Sequence, residues 1–67
     1  MKQFDCQDMP DYVRESFFDI TDWANNDTWV DFYVEYDEDN DDNNKVVDWL
    51  IENKAKENSK VLIKHWW

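Results

Sequence analysis

Thr28-Trp29-Val30-Asp31-Phe32-Tyr33-Val34-Glu35-Tyr36 alternates with a period of two. Successive side chains of an extended chain point to opposite faces, so this alternation predicts a β-strand. Val30, Phe32, Val34 and Tyr36 are expected to face a core. Trp29, Asp31, Tyr33 and Glu35 mix aromatics with acids and are expected on a partly exposed face. Downstream lies the polar run Asp37 to Asn44, then Val46, Val47, Leu50 and Ile51 at helical spacing. These predict a helix over Asn44 to Glu57, with Lys54, Lys56 and Lys60 near the end that favours cations. The segment Val61 to Trp67 alternates again. It places Val61, Ile63, His65 and Trp67 on one side and Leu62, Lys64 and Trp66 on the other. The stretch Thr28 to Trp67 is long enough for a crossover, which predicts parallel pairing of its two strands.

Upstream, Met9, Val13, Phe17, Ile20 and Ala24 recur at the i, i+4, i+7 spacing of a buried helical stripe flanked by Tyr12 and Trp23. They predict a first helix from Met9 to Ala24, with Asp8 as N-cap and Pro10 in the first turn. Lys2 to Cys6 is a short third strand. The expected fold class is therefore α+β. A small two- or three-stranded sheet carries two helices packed on one face, in the order (β)αβαβ, as one domain over residues 1–67.

A chain of 67 residues buries little surface, and its lone Cys6 rules out an internal disulfide. Aromatic bulk compensates, from five Trp, four Phe and three Tyr. There is no glycine, so turns fall to Asn, Asp and Ser, which take left-handed or side-chain-capped conformations, in Asn25-Asn26-Asp27 and in Asp37 to Asn44. The N-terminal residues have no apolar signal-peptide core and no stretch is long enough to span a membrane. The single thiol and these absences predict a cytoplasmic location.

Net charge is -10. Residues 1–44 hold fourteen acids and two bases, or -12. Residues 45–67 hold three acids and five bases, or +2. Such a field repels nucleic acid and anionic membranes and attracts basic proteins. Direct nucleic-acid and membrane binding are therefore not expected.

Asp11, Glu15, Asp19 and Asp22 are spaced i, i+4, i+8, i+11, which aligns them along one helical stripe opposite Val13 and Phe17. Like charges four residues apart cost a helix about 0.2–0.5 kcal/mol per pair, so the row is either a line of charge that mimics a nucleic-acid backbone for a partner or an ordinary solvated helix face. Phe18 projects on the same side, either as an exposed interface anchor or folded down against Phe4. The run Asp37, Glu38, Asp39, Asp41, Asp42 forms a second acidic candidate. Its EF-hand register fails, with Asp42 where glycine belongs and Asp48 where glutamate belongs. No zinc set can be assembled from one Cys and one His, and Cys6 with His65 lacks the third group of a nucleophilic triad. No cofactor, metal or catalytic residue is expected.

Two functions fit these features, neither of them enzymatic. One is an acidic inhibitor that mimics nucleic acid and blocks the basic site of a DNA- or RNA-binding protein. In overall character the chain is similar to phage-encoded DNA-mimic proteins of the anti-defence or host-takeover type. That likeness is of type and rests on no motif, so it assigns no residue a role. The other is a protein-interaction module, such as an antitoxin, adaptor or oligomer subunit, that binds through exposed aromatics including Trp66-Trp67, with a homodimer as one form.

Overall fold

A computed structural model describes residues 2–23 and 25–66. The chain is α+β, with two helices and a three-stranded mixed sheet. The elements are β1 (Gln3–Asp5), α1 (Asp11–Ile20), β2 (Thr28–Tyr33), α2 (Asp41–Glu52) and β3 (Lys60–His65), with a 3-10 turn at Cys6–Asp8. Ala24, expected at the end of the first helix, and Trp67, expected in the last strand, lie outside the described residues.

Strand order is β1-β3-β2. The central strand pairs in parallel with β1 and antiparallel with β2. The expected parallel crossover from β2 to β3 is thus not what forms. Length permits a crossover, but local bonds decide where it ends. Asn43 in the first turn of α2 donates to the Glu35 carbonyl, and Asn58 beyond α2 donates to the Val34 carbonyl. Both ends of the helical connection return to the end of the sheet where β2 finishes. β3 starts there, with Lys60 opposite Tyr33, and runs back along β2.

Both helices cover one face of this sheet. Phe32, Val34, Val61, Ile63 and His65 are buried beneath Val13, Phe17, Phe18, Val46, Val47, Trp49 and Leu50. Trp49, which the helical pattern of Val46 to Ile51 does not single out, closes over Phe4 edge-on at 5.7 Å. Tyr36, expected in the core, is instead exposed, and its hydroxyl donates to Asp48 at 2.6 Å. A three-residue turn, closed by Glu35 N–H donating to the Tyr33 carbonyl, bends the chain out of the strand before it reaches that position.

Helix ends differ from the periodic reading for local reasons. Asp8 belongs to the 3-10 turn, whose cap is Asp5, and Met9 and Pro10 are extended, so α1 starts at Asp11 with no side-chain cap. α1 stops at Ile20 because Asp22 and Trp23 adopt left-handed φ of 53° and 51°, and Trp23 N–H closes back on the Phe18 carbonyl. α2 starts three residues before the expected Asn44, because Asn40 accepts from the Asn43 amide as N-cap. It ends at Glu52, short of Glu57, where Lys54 takes a left-handed φ of 74°. Lys54 N–H bonds to the Ile51 carbonyl and Ala55 N–H to the Leu50 carbonyl. That pair of bonds is a Schellman cap with lysine in the position glycine usually holds.

Candidate partner-binding surface

The outer side of α1 exposes Asp11, Glu15 and Asp19. The row is shorter than the sequence spacing implies. Asp22 is exposed but lies past the helix end in a left-handed turn, so it leaves the stripe. Asp11 is held by Arg14 one turn on. Glu15 and Asp19 make no ion pair; the described residues form two such pairs, Arg14–Asp11 and Lys64–Asp27.

Phe18 is not an exposed anchor. It is buried, with Trp23 at 4.6 Å on one side and His65 at 4.7 Å on the other. The Phe4 contact expected for a folded-down Phe18 is taken by Trp49 instead. The left-handed turn at Asp22 and Trp23 swings the indole over Phe18, so Trp23 is the exposed aromatic beside the acids. Together with Asp11, Arg14 and Glu15 these two rings line a groove of about 380 Å³. Tyr12, also exposed, stands on the flank of α1 toward α2. The i, i+4 pattern gives Trp23 a place beside the stripe, but only the turn decides which way it faces.

Ser16 donates to Asp42 at 2.9 Å, which ties the middle of α1 to the first turn of α2. Tyr12 and Asp19 lie four residues before and three after Ser16, on the same flank. Asp19 therefore stands on the flank of α1 that meets the start of α2. Asp42 is half-buried by that bond, while Asp41 is exposed.

The 37–44 run is half loop and half helix. Its shape is set by neutral amides. Asn44 accepts from the Asp37 N–H and donates to the Asp37 carbonyl, and Asn43 donates to Glu35. Asp37 itself accepts from the Asp39 N–H at 3.0 Å. Asp37, Glu38 and Asp39 are exposed and join Asp31, Glu35, Tyr33 and Tyr36 around an open groove of about 630 Å³. Asp48 beside Tyr36 raises its phenol to about 12. Among the described residues no group of three or more His, Cys, Asp or Glu is placed to hold a metal ion.

One further surface escapes the sequence reading. Lys2, Lys54, Lys56 and Lys60 line a groove of about 430 Å³ with Ser59 and Val61. The +2 balance of residues 45–67 is the available signal. Lys54, Lys56 and Lys60 lie past the C-cap Asn53 rather than in the last turn of α2. On the open sheet face, Trp29, Tyr33 and Trp66 are each about half exposed. Lys64 sits 6.0 Å from the Trp29 ring and 5.5 Å from Trp66, with its ammonium held by Asp27 at 2.9 Å.

Cys6 and His65 do not meet. The Cys6 thiol donates to the Trp66 carbonyl and accepts from the Trp66 N–H, both at 3.1 Å. Burial pushes this thiol above its ordinary value. His65 bonds to Thr21, and its Nδ1 has no partner among the described residues. No helix among the described residues is long and apolar enough to cross a membrane. Comparisons with family models, with curated proteins and with solved structures find no match to the chain.

Proposed function

We propose that this chain is a non-enzymatic binding protein that works in the cytoplasm. Its acidic helix side occupies the basic, nucleic-acid-binding site of another protein. One observation carries the reading: Glu15, Asp19 and Asp41 are exposed on adjoining helices, and none of them is in an ion pair with another of the described residues. Acids that cost a small domain stability, and are not neutralised inside it, are available to an external cation.

The test is binding to basic nucleic-acid-binding proteins, measured by anisotropy from low to moderate salt with duplex DNA as competitor. Affinity should fall steeply with salt, and DNA should displace the chain. Joint replacement of Glu15 and Asp41 by neutral isosteres, with Asp19→Asn, should abolish binding. Undiminished affinity of that variant rejects the proposal.

The open sheet face favours a second reading, a module that binds through Trp29, Tyr33 and Trp66, including to a second copy. Trp29→Ser and Trp66→Ala would then remove binding or dimerisation with little salt response. Sedimentation of these variants separates the two readings.

A further inference from the structure

The outer edge of β2 is unpaired, and the hydrogen-bond pattern fixes which of its groups point outward. Val34 N–H donates to the Ser59 carbonyl directly opposite, and Leu62 N–H donates to Lys2 on the other side of β3. In an antiparallel ladder the bonded positions alternate. Thr28, Val30, Phe32 and Val34 therefore turn their backbone groups toward β3, and Trp29, Asp31 and Tyr33 turn theirs away from it. The Tyr33 carbonyl is taken by Glu35 N–H. Three N–H donors and two carbonyl acceptors remain along the edge. Asp31, Phe32 and Tyr33 also line the 630 Å³ groove, together with Glu35, Glu38 and Asp39 of the acidic loop that follows β2.

We propose that this groove takes an extended basic segment of a partner protein, which adds to the sheet as a fourth strand beside β2. The edge supplies main-chain hydrogen bonds, the general mode of strand addition. Side-chain alternation supplies the selectivity. One set of the guest's side chains lies beside Trp29, Asp31 and Tyr33 on the open face, and the other faces Glu35, Glu38 and Asp39. The groove contains five carboxylates and no base. Lysine or arginine at alternate positions meets these charges. A second copy would bring five carboxylates against five, and like charges across a strand pair are destabilising. The inference rests on the proposed function only for the sign of the partner's charge; its surface is the sheet edge, not the outer row of α1.

The probe is an eight-residue peptide alternating lysine and valine, labelled for anisotropy, with two versions N-methylated at alternate amides in the two possible registers. The unmodified peptide should bind. Methylation in the paired register should weaken it by about tenfold or more, while the other register binds as before. Amide exchange at Trp29, Asp31 and Tyr33 should slow in the complex. Asp31→Pro removes an outward N–H without touching the bonds to β3, and should lose more affinity than Asp31→Asn. No binding, or equal binding of both methylated peptides, overturns the proposal, and the peptides decide the matter even if Asp31→Pro does not fold. Neutralising Glu15 and Asp19 should leave peptide binding within about twofold, since neither lines the groove. A variant that loses a basic protein target yet keeps the peptide separates the failure of one idea from that of the other.

Discussion

Thr21 Oγ1 meets His65 Nε2 at 3.1 Å as a hydrogen-bond acceptor, because its own proton is already donated to the Phe17 carbonyl at 2.7 Å. The ring therefore carries its hydrogen on Nε2. Nδ1 is left as a buried lone pair without a partner among the described residues, in a ring packed against both Phe17 and Phe18. A second proton would put a charge into this pocket with no acceptor for it.

Stability should consequently fall on mild acidification. Burial lowers the folded-state pKa of His65 below 6.5, so between the two values the unfolded chain binds more protons. The contribution of neutral His65 is complete above the unfolded value and is lost as pH falls through the folded one. Urea unfolding at pH 8, 7, 6 and 5 should show the loss. His65→Phe, which fills the same space without a titrating nitrogen, should flatten the profile above about pH 5, where most carboxylates stay ionised. An unchanged slope in that variant assigns the acid sensitivity elsewhere.

Lys54 is a site for stabilisation. A side chain at left-handed φ costs roughly 1–2 kcal/mol, and glycine avoids that cost while losing more chain entropy on folding. Lys54→Gly should gain about 0.5–1 kcal/mol, read as a higher urea midpoint with an unchanged m-value. A lower midpoint would mean that the lysine side chain makes a contribution its backbone geometry conceals.

The contrast between Lys54 and the acid row marks what the residues disclose before folding. Burial is legible along most of each period, for Val13 with Phe17, Phe32 with Val34, and Val61 with Ile63 and His65, though not at Tyr36. So is the exposure of Glu15 and Asp19. Element ends are not, because bonds between neighbouring backbone groups set them. No periodicity announces that Trp23 and Lys54 will accept left-handed φ in a chain without glycine. The antiparallel return of β3 depends on Asn43, in the polar run before the expected helix, and on Asn58, just past its expected end at Glu57. Phe18 illustrates the consequence for the surface. Its position on α1 is outward by angle alone, and the turn after the helix then lays Trp23 over it.

The two candidate helix caps make opposite demands. Asn40 accepts from the Asn43 N–H at 3.0 Å and holds the start of α2. Asn40→Ala should cost about 1 kcal/mol. Asp8 is the cap expected from sequence for the first helix, but it lies in the 3-10 turn before Met9 and Pro10. Asp8→Ala should stay within about 0.5 kcal/mol of the parent. Chemical denaturation of both variants decides this, and a large loss at Asp8 would mean that the turn itself depends on that carboxylate.

Glu15 links stability to binding with opposite signs. It stands four residues after Asp11 and four before Asp19, so one neutral replacement removes both like-charge pairs of the row. Each pair costs about 0.2–0.5 kcal/mol, and Glu15→Gln should raise stability by up to about 1 kcal/mol at low salt. Added salt should stabilise the parent more than the variant, since screening relieves the same repulsion. Binding to a cationic partner should weaken in the same substitution. If Glu15→Gln is more stable and binds a basic target as tightly as the parent, the row is an ordinary solvated face and recognition lies on another surface.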